Sequence, residues 1–580
     1  MNACHPESFK HLKPKSFFLP GILDPFAMLL NNMVKLRRIE FTIIMLSMIL
    51  IICLGNHKYI EAAIYSCEFI LIVSVCSLPG SSFTITRNIV RLLYGFILSV
   101  QLSSIAISGN VLSPLTLENL GHPTVIGSLN MIKSALIEIC SIAFVFLSTS
   151  SLKLYGLVLS LPVLLSMKHS ACYEFGKPVV SIAKEEIFVW KLIYTGKQEV
   201  SKLQHDTIYY SDGNNNPIKR KHYNVIVIFT EGTSLAVLSP ELTPNIWGMM
   251  HNSLYYTGFF NHTAATFRGL RGQNASFYQM TGGYTEKNMG IGQISHKEIL
   301  NKMKSGKSIT TIPEILRENG YDTFFQLPCS INDNLSLMMD TMDFNHLFTM
   351  EDVDANERTK WPVPPGMLVK WFTNNDLTDG DSYKLLWKNI QALHQKDKPF
   401  YYGIYTVGTH VGLDSPEFRY RDGQNSYRNK FYNMDRQFGE FLHRFNDSPI
   451  SDDTILIFTA DHATYPEQKF VDTFGIKSKY FVDQVPLIIY KKNSTGELHL
   501  DADGKNSLDI APTIMDILGV QKATTTFLGC SLFDTVCHSD FDHLSALGLE
   551  YYTTYGNVVT PANLSKDQQS IIESIQSYGG

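Results

Sequence analysis

Residues 41–167 hold nine Asp, Glu, Lys or Arg residues in 127 positions, about 7%. A stretch this long and this poor in charge cannot supply the surface of a soluble domain, so it reads as a membrane-embedded unit. The other 453 positions carry the remaining 94 charged residues, about 21%, which is ordinary for a globular domain. A chain of 580 residues exceeds what one hydrophobic core supports. The resulting expectation is an N-terminal helical transmembrane bundle followed by a globular domain. Its boundaries read as 1–40 for a cytoplasmic or interfacial N-terminus, 41–167 for the spans, 168–222 for a connector and 223–580 for the globular domain. A formal net charge of -5 and the absence of a low-complexity tract exclude disorder and a nucleic-acid binder driven by bulk positive charge.

Apolar runs fall at about 41–55, 59–79, 92–108, 131–149 and 152–167, giving about five spans. Lys10, Lys13, Lys15, Lys35, Arg37 and Arg38 precede the first, and Arg87 and Arg91 lie in the next loop on that side, whereas the 109–130 loop has neither Lys nor Arg. The positive-inside rule then puts the N-terminus in the cytoplasm and everything after about 168 outside. The basic start leads into Pro-containing sequence, unlike a cleavable signal peptide, and 17–30 reads as an interfacial stretch. Glu68 and Glu138 fall inside spans, where a carboxylate marks either function or reach toward headgroups. In the connector, Ile187, Phe188, Val189, Leu192 and Ile193 among Lys and Glu suggest an amphipathic surface helix, and the turn formers at 211–217 close it.

Beyond 223, three runs read as buried parallel strands: 224–230, 400–407 and 454–460. Helical patterns at 310–320, 383–395 and 427–446 alternate with them, so the domain is α/β with a mostly parallel sheet. Sites in such sheets lie beyond the carboxyl ends of the strands. There the three strands deliver Glu231, His410 and the Asp461-His462 pair. Each residue alone is ordinary; the set reads as a divalent metal held by two carboxylates and a histidine, with room for a reacting oxygen. The segment from Asn261 to Gln273 offers a hydroxyl nucleophile, Thr266, with Thr263 as competitor and Arg268 and Arg271 to bind a phosphate. A metal-bound hydroxyl loses its proton readily and can attack phosphorus. The nine cysteines include no CxxC pair, four lie in apolar runs, and Cys530 and Cys537 are near enough to pair in an oxidising compartment.

The stretches NVIVIFTEG, ATFRGLRG, TVGTH, FTADH, VPLIIY (485–490), DIAPTIMDILGV (509–520) and FLGCSLFD (527–534) occur in the order found in the alkaline-phosphatase/sulfatase superfamily. Within it, the chain resembles the membrane-bound lipoteichoic acid synthase-like and osmoregulated glucan phosphoglycerol transferases, over about 224–535. The resemblance implies that Glu231, Asp461, His462 and Thr266 bind one divalent metal (Mn, Zn or Mg) and that Thr266 is the nucleophile. His410 would contact the phosphate or the leaving or attacking oxygen. The implied donor is a membrane phospholipid, with phosphatidylglycerol favoured, and the implied acceptor an extracytoplasmic glycan or glycolipid. The implied setting is the bacterial cytoplasmic (inner) membrane, multi-pass, with catalysis on the periplasmic side. No Cys/Ser-x-Pro/Ala-x-Arg motif surrounds a nucleophile, which argues against sulfate ester cleavage. Where synthase relatives have an aromatic-Trp-Asn-Arg stretch, this chain reads Gln326 to Asn334 without it. Three rivals stay open: a phosphoethanolamine transferase, a catalytically silent lipid- or partner-binding relative, and a phosphatase. The last usually needs a second metal, for which Asp435 and His443 are candidates; Asp435 reads instead as a helix residue facing solvent or capping an interaction.

Overall fold

The computed structural model describes residues 38–77, 84–113, 116, 128–148, 169–180, 183, 205–208, 222–279, 309–364, 367–371, 374–475, 480–493, 497–520, 522–548 and 550–578. The chain divides into two compact units, Met1–Leu102 with Ile137–Tyr173 and Ser103–Leu136 with Glu174–Gly580.

Four apolar helices lie near the N-terminus: α1 (Arg38–Gly55), α2 (Tyr59–Cys76), α3 (Thr84–Ser108) and α4 (Ser128–Leu147). Among the described residues, three stretches, Tyr59–Cys76, Thr84–Ser108 and Leu129–Leu147, are long and apolar enough to cross a membrane, fewer than the five expected. The apolar part of α1, Glu40–Gly55, is shorter. At 1.5 Å per residue it reaches about 24 Å, less than the ~30 Å of a hydrocarbon core. The expected span at 152–167, the interfacial stretch at 17–30 and the amphipathic segment around 187–193 lie outside the described residues. Within the first unit, α3 meets α4 at Gly95, where an added Cβ would lie 3.3 Å from the Ile142 Cα; small residues permit this approach. Glu68 is buried, and its Oε2 accepts the Ala171 amide at 2.8 Å, at the start of the helix over 171–180. A carboxylate at a helix N-terminus satisfies amides that the helix leaves unpaired.

The second unit is built on eight strands: β1 (Asn224–Thr230), β2 (Leu254–Thr257), β3 (Asp322–Gln326), β4 (His346–Phe348), β5 (Phe400–Thr406), β6 (Thr454–Ala460), β7 (Leu487–Tyr490) and β8 (Leu498–Asp501). Their spatial order is β4-β3-β5-β1-β6-β7-β2-β8. All neighbours pair in parallel except β7, which runs antiparallel to both β6 and β2. The three strands read from the sequence are its centre, β5-β1-β6. They are buried along their whole length, as expected for strands covered on both faces.

Period-two alternation sorts the core into two layers. Val225, Val227 and Phe229 point to the face covered by α5 (Thr266–Ala275) and α8 (Ile510–Leu518). Ile226 and Ile228 point to the opposite face, covered by α6 (Asp379–His394) and α7 (Ser426–Asn446). The result is an α/β/α sandwich. Two smaller elements flank it: an antiparallel ribbon of His205–Ile208 with Lys522–Thr525, and a three-stranded antiparallel sheet over 544–562. Cys530 and Cys537 form a disulfide. Asp435 on α7 is fully buried rather than solvent-facing, and its carboxylate accepts the amides of Asn245 (3.2 Å) and Ile246 (2.8 Å), capping the helix Pro244–Met250.

Candidate active site

The site grows out of strand register. Thr230, the last residue of β1, pairs with Thr406 of β5 and with Ala460 of β6. The residues that follow therefore emerge side by side: Glu231, the Val407–His410 turn, and Asp461-His462. The ladder runs one residue further, with Glu231 N donating to Thr406 O (3.0 Å) and Asp461 N to Thr230 O (3.1 Å).

Glu231, Asp461 and His462 form the one cluster of potential metal ligands among the described residues, with one ligand atom of each lying within 4.8 Å of the others. All three are buried. His462 Nε2 lies 3.5 Å from Glu231 Oε1 and 3.4 Å from Asp461 Oδ2. On the far side of the ring, Nδ1 lies 2.7 Å from the Ala463 carbonyl, which can only accept, so Nδ1 is the donor there and Nε2 is the nitrogen that faces the cluster. Asp461 Oδ1 accepts the amides of Gly232 (2.8 Å) and His462 (2.7 Å), while the buried Oδ2 has no hydrogen-bond partner. Burial and the Glu231 charge push the Asp461 carboxyl well above the usual range. Burial opposes the Glu231 charge too, but His410 and His462, with hydrogen bonds from Tyr405 and Thr266, hold its carboxyl below the usual value. Two buried carboxylates side by side, one with an orphaned oxygen, and an imidazole nitrogen turned toward them are a donor set suited to a divalent cation. The residues fit a metal; the mix of oxygen and imidazole donors suits Mn, Mg or Zn.

Thr266 joins this cluster. Its Oγ1 donates to Glu231 Oε2 at 3.0 Å, and Tyr405 donates its phenol to the same oxygen. Thr266 is the first residue of α5, and Ala265 before it has φ 71°, a left-handed conformation that alanine adopts only when its surroundings impose it. The competing hydroxyl is committed elsewhere: Thr263 Oγ1 donates to the Ala546 carbonyl at 2.8 Å. The glycines of ATFRGLRG explain how α5 comes so close. A Cβ at Gly269 would lie 2.2 Å from the Asp461 carbonyl oxygen, and one at Gly272 would lie 2.0 Å from His262 Nε2. Gln273 Nε2 completes the seam, donating to the carbonyls of Ala460 (3.0 Å) and Asp461 (2.7 Å).

His410 sits on the turn after β5, with Nδ1 held 2.7 Å from the Val411 carbonyl. Arg268 is fully buried and Arg271 nearly so; neither stands in solvent. His443 is exposed and faces Asp447, and Asp435 is used as a cap, so these two assemble no second metal site. Sequence reasoning missed Tyr405, Gly269, Gly272, Gln273, Asp379 and Lys430. Tyr405 carried a usable signal, because it immediately precedes the last residue of a strand that ends at the site. Asp379 and Lys430 carried none, since they reach the Val407–His410 turn from α6 and α7.

A sulfatase family model matches residues 223–520. A phosphopentomutase of Alkaliphilus metalliredigens (strain QYMF) is 28% identical over 176 residues, covering 30% of this chain and 40% of that protein, so the chain spans less than half of that relative's length. Among solved structures, a protein of the alkaline phosphatase superfamily from Vibrio parahaemolyticus aligns with a TM-score of 0.46 and 17% identity, over 68% of this chain and 94% of that one. The lipoteichoic acid synthase LtaP from Listeria monocytogenes aligns with a TM-score of 0.47 and 15% identity, over 65% and 95%. With the family match covering more than half of the residues and the acid–histidine cluster lying within it, the chain belongs to the sulfatase family.

Proposed function

We propose that this protein is a membrane-anchored, metal-dependent phosphotransferase that moves a phosphoglycerol headgroup from phosphatidylglycerol to an extracytoplasmic glycan or glycolipid through a phosphothreonine on Thr266. The observation that carries the reading is the Thr266 hydroxyl at 3.0 Å from Glu231 Oε2, at the head of a helix locked against the Asp461 backbone. Members of this superfamily are hydrolases or transferases of phosphate or sulfate esters. A nucleophile motif unlike that of sulfate ester hydrolases, the apolar helices and the motif resemblance to phosphoglycerol transferases favour transfer from a lipid. The disulfide of Cys530 with Cys537 suits an extracytoplasmic compartment.

Glu231, Asp461, His462 and Thr266 would hold the cation. A divalent metal bound there supplies Lewis acidity, lowering the pKa of the threonine hydroxyl and drawing charge from the phosphoryl oxygens. In the first half-reaction, Thr266 Oγ1, entering as the alkoxide once its proton has passed to solvent, forms a bond to phosphorus while the bond from phosphorus to the diacylglycerol oxygen breaks. His410 delivers a proton to that oxygen, and diacylglycerol leaves. In the second, a sugar hydroxyl attacks phosphorus and gives its proton to His410, and the bond to Thr266 breaks, returning its alkoxide. Arg268, in the first turn of α5, and Arg271, one turn further on, would add positive charge near the phosphoryl group, beside the amides of the helix N-terminus. A covalent relay suits a donor confined to the bilayer and an acceptor outside it.

The test is peptide mass spectrometry of the full chain after incubation with mixed phosphatidylglycerol and phosphatidylethanolamine, a divalent metal and no acceptor. A phosphoglycerol adduct on Thr266, absent in Thr266→Ala, is the expected result. A phosphoethanolamine adduct keeps the mechanism and replaces the donor. An unmodified Thr266 with every metal tried refutes the transferase reading and leaves a silent binding role.

A further inference from the structure

Lys430, on α7, is 1% exposed. Lysine is almost never buried without a carboxylate partner. Among the described residues, no carboxylate lies within 4.0 Å of this ammonium. Its contacts are the His410 carbonyl, to which Nζ donates at 2.9 Å, and the face of Tyr427, 4.1 Å away. Tyr427 in turn donates its phenol to Glu467. An apolar side chain would fill the same space without the desolvation cost of a charge, so packing alone does not account for this lysine.

What the ammonium holds is the turn that carries His410. That turn is pinned from three sides. Asp379 of α6 accepts the Gly408 amide at 2.8 Å, Thr409 donates its hydroxyl to the Glu231 backbone carbonyl, and Lys430 binds the His410 carbonyl. Burial pushes the ammonium down to about 8, against the pull of the carboxylates Glu467, Glu231 and Asp414. Asp414 already pairs with Arg419 at 2.9 Å.

We propose that Lys430 is a positioning residue: its ammonium, bonded to the His410 carbonyl, fixes the turn that carries His410. The inference rests on the transfer reading above. Its signature is a fall in kcat with KM unmoved, because removing the ammonium lets His410 drift while the donor is bound as before.

The experiment compares Lys430→Met, Lys430→Gln and Lys430→Arg in the full-length chain, reading the kcat and KM of transfer and, by mass spectrometry, the hydrogen exchange of the amides over 407–411. For Lys430→Met, kcat should fall about 10–100-fold with KM for the donor within about twofold, and those amides should exchange faster than in the wild type. Lys430→Arg should recover part of both. If Lys430→Met does not fold, Lys430→Gln, which retains a donor on a shorter side chain, should show the same two changes to a smaller degree. Unchanged kcat, or unchanged exchange over the turn, in the folded neutral variant overturns the positioning role. Should the wild-type chain transfer no headgroup at all, the functional reading fails, and the exchange comparison still decides the role of Lys430.

Discussion

Gly269→Ala tests whether the closeness of α5 to the end of β6 underlies the nucleophilic role proposed for Thr266. The added Cβ would sit 2.2 Å from the Asp461 carbonyl oxygen and 2.9 Å from its carbonyl carbon. Ordinary contact for such an atom begins at 3.4 Å, and both neighbours are backbone, which cannot swing aside as a side chain can. The helix must therefore retreat by about 1 Å. That retreat lengthens the Gln273 bonds to Ala460 and Asp461 and carries Thr266 away from Glu231, which it now meets at 3.0 Å. Overpacking of a tight interface costs about 1–3 kcal/mol, and a 1 Å displacement of a reacting group costs about 100-fold in rate. The expected outcome is a folded chain with a lowered unfolding midpoint and kcat down about two orders of magnitude. Gly248→Ala is the control. It lies in the helix Pro244–Met250 with nothing within 4 Å of its added Cβ, so helix propensity should make it neutral or stabilising by up to ~1 kcal/mol. Thermal unfolding of the detergent-solubilised full chain and initial transfer rates supply both readouts. A Gly269→Ala variant with wild-type turnover and midpoint would refute the reasoning, because the helix would then have room it is inferred to lack.

Metal removal and Asp461→Asn should move stability in opposite directions. A cation at a hundred times its Kd adds about 2.7 kcal/mol to the wild-type chain; Asp461→Asn should abolish that shift in a thermal-unfolding titration yet raise the midpoint of the metal-free protein, because it removes one of two adjoining buried carboxylates. Asp379 should make stability fall as pH rises. Burial raises its carboxyl from 3.8 to about 7, so between those values the folded chain binds a proton that the unfolded chain has lost, and the advantage of that bound proton disappears by about pH 7. Denaturant titrations of wild type against Asp379→Asn should therefore diverge between about pH 4 and 7, by at most about 4 kcal/mol, with the variant the more stable above that window; parallel profiles would sink the assignment. Cys530→Ser with Cys537→Ser should cost about 2 kcal/mol in equilibrium unfolding, the entropy of a short closed loop, and transfer should survive, since the disulfide touches no residue of the site.

The amino-acid sequence by itself determined the charge-poor segment, the three central strands and the acids and histidines at their ends. These are local signals: an unbroken apolar run is buried on both faces, and a polar residue directly after it must emerge at the strand's carboxyl end. It also named Thr266, through a motif, but gave no reason for the glycines beside it. Five spans were expected; among the described residues three helices qualify, and the first apolar run is shorter than the bilayer it was asked to cross. Only the tertiary structure decided the rest. Parallel register placed Glu231 beside Asp461, across 230 residues of chain. Close packing made Gly269 obligatory, and helices on the far face of the sheet brought Asp379 and Lys430 to the His410 turn. Such residues carry no local pattern, because what defines them is a neighbour distant in sequence, and sequence spacing says nothing about that distance until the sheet has formed.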